Sequence, residues 1–250
     1  MNVGMDPFYC ICPLRAAQPV PSSGMRRLAT AVPLALALAP AAAPAQAQAA
    51  QVITDRSCYL QTGQQAPTVS LSGNGFGAGR PFSVLLDGQP NGQNGTTDAG
   101  GALFAPVVPP LLGAAQHQRA FTIAAQSDDL SAQTTFTVTR FLAGFTPTSG
   151  DPAKLRVRFS VYGFNLAAAK STVYLHYVAP NGRLRRTIRI GQARGACGAI
   201  PKTARHKLFP FGSPSRGTWK LQFDTSKRYR RGTSKSSFLF YSVAVRIRKA

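Results

Sequence analysis

The residues with the clearest chemical meaning are seven lysines and arginines in two short stretches of the second half of the chain. They are Lys202, Arg205 and Lys207 in the first stretch, and Lys227, Arg228, Arg230 and Arg231 in the second. Closely spaced cations of this kind neutralise phosphate or other acidic groups and release the counter-ions of a polyanion. The sequence therefore predicts a polyanion-binding surface built from these residues.

The positive charge of the chain is concentrated in one half. Residues 51–140 carry four arginines and five aspartates, whereas residues 141–250 carry 22 lysines and arginines and only two aspartates, Asp151 and Asp224. Charge that serves solubility alone, in a genome rich in arginine codons, is the alternative interpretation, but it would load both halves alike. The split predicts that the second half binds acidic polymer and that the first half does not.

The other reactive residue types give little support to catalysis or to metal binding. His117, His176 and His206 have no partner at a metal-ligand spacing, and no serine lies in a G-x-S-x-G motif. Asp128 and Asp129 are adjacent and would point apart on an extended chain, so they make a poor acid–base pair. We therefore expect no catalytic residues, no metal and no cofactor.

Residues 25–50 have the layout of a secretory signal peptide. Two arginines precede an apolar run over residues 28–39, and alternate alanines then offer cleavage sites between Gln46 and Gln51. The apolar run is too short for a membrane span, which needs about 20 residues. An Ala/Pro-rich linker is the alternative interpretation. We expect residues 25–49 to be a signal peptide and the mature protein, with no transmembrane helix, to be secreted or associated with the cell envelope.

Translation from Met25 would make residues 1–24 a start-site artefact or a disordered extension. Cys10 and Cys12 would then not belong to the mature chain, which keeps two cysteines, Cys58 and Cys197. In an oxidising compartment two thiols are most simply joined in one disulfide. We therefore predict a disulfide between Cys58 and Cys197.

Apolar residues recur at every second position in short stretches of both halves, which predicts β-strands rather than helices. The first half is predicted to begin with a strand over residues 52–60 and to contain a Gly/Asn-rich loop between Asp87-Gly88 and Gly101. In the second half Val157 and Phe159 alternate with arginines, and similar patterns follow. The sequence predicts two tandem antiparallel β-sandwiches, residues 51–140 and 141–250, joined near residues 140–147.

The first half resembles the immunoglobulin-like modules of bacterial secreted and surface proteins. Gly75-Phe76, Asp87-Gly88 and Thr97-Asp98-Ala99-Gly100 carry the resemblance. It covers residues 52–140 well and the second half loosely, where residues 191–215 have no counterpart. The resemblance implies an Ig-like β-sandwich with a role in adhesion, spacing or binding at the envelope, and it supplies no catalytic residues.

Three functions are compatible with these features. The first is an exported, non-enzymatic Ig-like protein whose second half contacts anionic envelope polymer or lipid head groups. The second is a small-ligand carrier that uses the apolar loops at residues 106–112 and 208–211. The third is an intracellular nucleic-acid binder, which requires that residues 25–50 are not a signal peptide. The split in charge favours the first.

Overall fold

The part of the protein that the structure describes is built from β-strands. The computed structural model describes residues 49–166, 171–231 and 240–248, and all regular elements in these ranges are strands, which confirms the predicted all-β class. The first half contains β1 (Gln51–Thr54), β2 (Cys58–Leu60), β3 (Val69–Asn74), β4 (Pro81–Leu86), β5 (Gln89–Thr96), β6 (Leu103–Val107), β7 (Gln118–Ser127) and β8 (Leu130–Thr139). The second half contains β9 (Leu142–Thr146), β10 (Arg156–Tyr162), β11 (Thr172–Val178), β12 (Leu184–Gln192), β13 (His206–Lys207), β14 (Gly217–Asp224) and β15 (Phe240–Ile247).

The predicted start-site segment (residues 1–24) and the predicted signal peptide (residues 25–49), except for Ala49, lie outside the described residues, as do Cys10 and Cys12. Ala49 and Ala50 precede β1 without regular structure. Within the described ranges there is no helix of the length and apolar character that a membrane crossing requires.

The strands of the first half form two sheets that enclose one hydrophobic core. A three-stranded sheet has the order β1-β3-β6, and a five-stranded sheet has the order β2-β8-β7-β4-β5. Alternate residues enter the core, as the sequence pattern predicts: Leu71 on β3, Ile123 on β7 and Val138 on β8 are all buried. Burial of these side chains between the two sheets provides the main stabilisation of a sandwich.

The strand predicted over residues 52–60 is wrong, because the chain changes sheets within it. β1 pairs antiparallel with β3, whereas β2 pairs in parallel with β8. Asp55 fixes the change of direction, since its carboxylate accepts hydrogen bonds from the Tyr59 hydroxyl at 2.6 Å and from the Ser70 amide at 3.0 Å. The chain thus contributes one strand to each sheet of the sandwich before β3 begins.

The loop predicted between Asp87-Gly88 and Gly101 is wrong over most of its length, where the structure has β5. Asp87 and Gly88 have φ angles of 49° and 78°, which form the two-residue hairpin turn between β4 and β5. β5 is an edge strand with polar side chains, so it lacks the apolar alternation that identifies a strand from sequence. Gly95 lies against the Phe82 ring, which a Cβ would approach to 2.8 Å.

The turn between β5 and β6 explains the motif that carries the Ig-like resemblance. Asp98 Oδ1 accepts a hydrogen bond from the Gly100 amide at 2.9 Å. The Phe76 amide donates to the Gly101 carbonyl at 3.1 Å, which ties two turns together. Gly101 has a φ of +75°, and a Cβ there would overlap the Phe76 carbonyl. Glycine is therefore required at residue 101 and not at residue 100.

We expect Gly101→Ala to destabilise the protein by more than about 2 kcal/mol, because it adds a steric overlap to the cost of a left-handed backbone. Gly100→Ala is the matched control, since a Cβ there meets only the Asp98 carboxylate at 3.4 Å. Urea unfolding of the two variants measures the difference. Equal stability of the two would contradict this account of the turn.

The second half repeats the strand order of the first. Its sheets have the orders β13-β10-β9 and β12-β11-β14-β15. In the smaller sheets, β9, β10 and β13 take the places of β1, β3 and β6. In the larger sheets, β11, β12, β14 and β15 take the places of β4, β5, β7 and β8, and β2 of the first half has no equivalent among the described strands. The two halves therefore share one strand topology. The predicted join at residues 140–147 contains β9, which is the first strand of the second half.

The core of the second half lies between its two sheets. Phe159 of β10 packs against Phe223 of β14 with ring centroids 5.9 Å apart, and Val157, Leu175 and Leu221 complete a set of side chains with 0% exposure. Because both sheets turn their apolar residues toward this core, their outer faces point in opposite directions. Basic residues on the outer faces of the two sheets therefore lie on opposite sides of this sandwich.

A disulfide joins the two halves. The predicted pair, Cys58 on β2 and Cys197 in the second half, is bonded, with Cα atoms 5.1 Å apart. Cys197 belongs to the segment that has no counterpart in the Ig-like pattern, so this segment is what fastens the second half to the first. The rings of His117 in the first half and Tyr162 in the second half lie 4.9 Å apart, which adds a second contact between the halves.

Candidate polyanion-binding site

One group of predicted site residues lies on a loop that follows β14. We call residues 226–231 the basic loop. Its cations are exposed, and its tyrosine, Tyr229, is half-buried with the ring 5.5 Å from the ring of His176. The four cations of the basic loop are Lys227, Arg228, Arg230 and Arg231. The loop therefore covers part of the sheet with Tyr229 while its charged side chains lie in solvent.

The basic loop covers three buried polar residues on the outer face of the four-stranded sheet. His176 of β11 and Gln222 and Asp224 of β14 are each 0% exposed. They alternate with the core residues of their strands, and the register places His176 opposite both Thr187 and Gln222. An outer sheet face normally meets water, so burial of these groups depends on the loop above them.

Hydrogen bonds from this buried network hold the basic loop at both ends. His176 Nε2 lies 2.9 Å from Asp224 Oδ2 and 3.1 Å from the Ser226 carbonyl. The Ser226 amide donates to Asp224 Oδ1 at 2.7 Å. Gln222 Nε2 donates to Asp224 Oδ2 at 3.1 Å and to the Arg230 carbonyl at 3.0 Å. The loop backbone is thus fixed at Ser226 and again at Arg230.

Thr187, His176 and Asp224 form a hydrogen-bonded chain that is similar to a catalytic triad. Thr187 Oγ1 lies 2.7 Å from His176 Nδ1, and Nε2 carries a proton because both of its neighbours are acceptors. A triad acts on substrate through an accessible base and nucleophile. Here the imidazole is enclosed by Tyr229 and the loop backbone, so the geometry supports a role in holding the loop.

The remaining predicted cations lie with the arginines of β10. Arg156 is paired in register with Lys207, and its Nη2 donates to the Arg205 carbonyl at 3.3 Å. Arg158 Nη1 donates to the Thr203 carbonyl at 3.1 Å. We call this set the β10–β13 cluster. It consists of Arg156, Arg158, Lys202, Arg205 and Lys207.

The seven residues predicted from sequence therefore belong to two groups rather than to one. The β10–β13 cluster lies on the outer face of the three-stranded sheet, because Arg156 and Arg158 alternate with the buried Val157 and Phe159. The basic loop lies on the outer face of the four-stranded sheet. The core of the second half separates the two groups.

The electrostatic environments of the two halves differ as much as their composition. Ion pairs neutralise three arginines of the first half, and these pairs are Arg56–Asp55, Arg80–Asp128 and Arg119–Asp87. Among the described residues after 140, no lysine or arginine is paired with a carboxylate. Asp151 caps its own turn, and Asp224 is buried beneath the basic loop. Burial and, to a smaller extent, the charge of Arg231 lower the pKa of Lys220.

The apolar loops predicted for a ligand carrier differ in their surroundings. Leu208 and Phe209 are buried, and the Phe209 ring packs 5.2 Å from Trp219 and 5.9 Å from Tyr177, so this loop fills the second core. Residues 106–112 belong to the first half, where Leu112 is buried. No group of three potential metal ligands converges within the described ranges.

Comparison with known proteins identifies no family for this chain. The sequence matches no protein-family model, and it matches no curated protein. Solved structures with some similarity include a protein of Corynebacterium diphtheriae described as membrane anchored (TM-score 0.34, 10% identity, 80% of this chain and 57% of that one). Bovine butyrophilin is also similar, with a TM-score of 0.30 and 8% identity over 80% of this chain and 99% of that one. A mutant Salmonella alpha-2-macroglobulin has a TM-score of 0.28 and 16% identity over 81% of this chain and 15% of that one. The chain thus spans just over half of the Corynebacterium protein. Similarity at these TM-scores indicates no shared function.

Proposed function

We propose that the protein is an exported, non-enzymatic Ig-like protein whose second half binds an anionic polymer of the cell envelope. The basic loop is its principal contact. The observation that carries this proposal is a group of exposed cations, without carboxylate partners, on a loop that is held in place by a buried network. Polyanions with closely spaced phosphates or similar groups are the class of ligand that such a loop fits.

The absence of compensating charge around these cations supports binding rather than stability. Three of the four arginines in the first half of this chain are paired with nearby carboxylates. Cations in one place repel one another and destabilise the compact state slightly. A polyanion relieves that repulsion, and the release of its counter-ions contributes further to the binding free energy.

The fixed backbone of the basic loop supports a second part of the proposal. A loop that is already ordered loses little conformational entropy on binding, so more of the electrostatic attraction remains as affinity. The bonds at Ser226 and Arg230 fix the backbone and leave the arginine side chains free to contact anions. Arginine suits this role because its planar guanidinium forms paired hydrogen bonds with phosphate.

Two further features support an extracytoplasmic location. A disulfide between Cys58 and Cys197 persists in oxidising compartments and is uncommon in the cytosol. Residues 25–50 have the sequence layout of a signal peptide. Amino-terminal sequencing of the exported protein is expected to find a start between Gln46 and Gln51, and a start at Met1 would contradict export through this segment.

Charge reversal within the basic loop tests the binding site. We expect Arg228→Glu with Arg230→Glu to weaken binding of the full chain to inorganic polyphosphate by at least about tenfold, because two phosphate contacts become repulsive. The slope of log affinity against log salt should also become about 1.4 less steep, since each single-strand phosphate contact contributes about 0.7. Fluorescence anisotropy between about 50 and 200 mM salt measures both quantities.

Arg246→Glu with Arg248→Glu is the control matched in charge. Arg246 is paired with Thr218, at the end of β14 away from the basic loop, so its reversal changes net charge equally but should cost much less affinity. Equal losses for the two double variants would show that net charge alone attracts the polymer. Binding by neither the unmodified chain nor any variant would overturn the proposal.

Nucleic acid presents similar phosphates, so the location of the protein in the cell decides whether its ligand is envelope polymer or nucleic acid. Cell fractionation should place the protein outside the cytoplasm, and purified envelope polymer should compete with polyphosphate for it. Vesicles with anionic lipid head groups are tested as a third competitor for polyphosphate binding. Recovery of the protein with cytoplasmic nucleic acid would favour the intracellular function instead.

A further inference from the structure

We propose that the second half binds two anionic chains at once, one on each outer face of its sandwich, and so crosslinks them. This inference rests on the proposed function, and it concerns how the cations are divided. The observation behind it is that the β10–β13 cluster and the basic loop belong to opposite sheets of one sandwich.

The opposition follows from the packing of the two sheets. Val157 and Phe159 alternate with the arginines of β10 and enter the core, whereas Leu175 alternates with His176, which lies under the basic loop. Phe159 meets Phe223 of the other sheet inside that core. The arginines and the loop must therefore project on opposite sides of the molecule.

The β10–β13 cluster is constructed to present its guanidinium groups to solvent. Arg156 and Arg158 each donate one hydrogen bond to a carbonyl of residues 203–205, which holds both side chains beside this segment. The remaining donors of each guanidinium stay available for an anion. Lys207 lies beside Arg156 through the strand register, so two cations stand side by side.

The distance between the two groups makes them independent sites for short anions. Sheets of a sandwich pack about 10 Å apart, and outward side chains extend the separation on both sides. The Debye length at physiological salt is about 8 Å, so the charge of one group scarcely affects an anion at the other. A short polyanion bound to one face therefore leaves the other face able to bind a second chain.

A two-step capture assay tests this inference with the full chain. Short inorganic polyphosphate is fixed to a surface, the protein is bound to it, and fluorescent polyphosphate of the same length is then added. We expect the unmodified protein to capture about one labelled chain per molecule. The variants Arg156→Glu with Lys207→Glu, and Arg228→Glu with Arg230→Glu, are each applied in excess over the weakened affinity expected above. Each should then still bind the fixed polymer through its unaltered face but lose most of the second capture.

Arg246→Glu with Arg248→Glu is again the control for net charge and should retain capture. Glutamine variants at the same positions, together with equal melting temperatures, exclude a loss of folding. Failure of the unmodified protein to bind the fixed polymer would overturn the proposed function itself. Three other results would overturn the crosslinking inference and leave the proposed function intact. They are first binding without second capture by the unmodified protein, second capture by both double variants, and loss of first binding by either double variant.

Discussion

Replacing both Cys58 and Cys197 by alanine should lower the free energy of unfolding by about 4–5 kcal/mol. The bond closes a loop over a sequence separation of 139 residues, which is most of the described chain. Loss of the bond lets the unfolded chain explore many more conformations, whereas the folded chain changes little. Urea unfolding of the variant and of the unmodified protein under oxidising conditions measures the difference.

Reductant supplies the matched control for this prediction. The unmodified protein in reductant should unfold like the double variant, and the double variant should be insensitive to reductant. Alanine is preferred to serine at residue 197 because that side chain is 2% exposed, and a hydroxyl there would need a new hydrogen-bond partner. A difference below about 1 kcal/mol, or free thiols in peptide mapping, would contradict the role assigned to the bond.

The alternation of residues was sufficient to predict the buried strands but not the exposed or interrupted ones. Val157 and Phe159 alternate with arginines, and the structure buries the apolar pair. β5 escaped prediction because an edge strand needs no apolar face. The division of residues 52–60 depends on contacts of Asp55 with Tyr59 and Ser70, and Ser70 lies on the following strand, outside the stretch whose pattern was read.

The site was predictable in its charges but not in its arrangement. The alternation in sequence shows which residues of a strand point inward, but it does not show which strands share a sheet. Only the sheet topology shows that the two cationic groups lie on opposite sheets. The buried network was also missed. His176, Gln222 and Asp224 occupy outward positions, where polar residues are expected, and only the return of the basic loop over them removes them from water. The available signal was that Asp224 is one of only two aspartates after residue 140.

Asp224→Ala should destabilise the protein by about 3 kcal/mol or more, because it leaves several buried hydrogen-bond donors without their acceptor. The carboxylate accepts from His176, Ser226 and Gln222, so its loss leaves the Ser226 amide without its acceptor and Nε2 of His176 without its closer acceptor. The basic loop then loses its attachment at residue 226. Urea unfolding measures the stability, and native-state trypsin cleavage after Lys227 measures the release of the loop.

Asp151→Ala is the control that separates structure from charge, because it removes the same single negative charge from an exposed turn. Simple electrostatics requires both variants to bind polyphosphate slightly more tightly, since both raise the net positive charge. If the buried network holds the loop in its binding conformation, Asp224→Ala should instead bind more weakly, because ordering the loop would then oppose association. Tighter binding by both variants, in conditions where each is folded, would show that the loop needs no support from beneath, and the network would then serve stability alone.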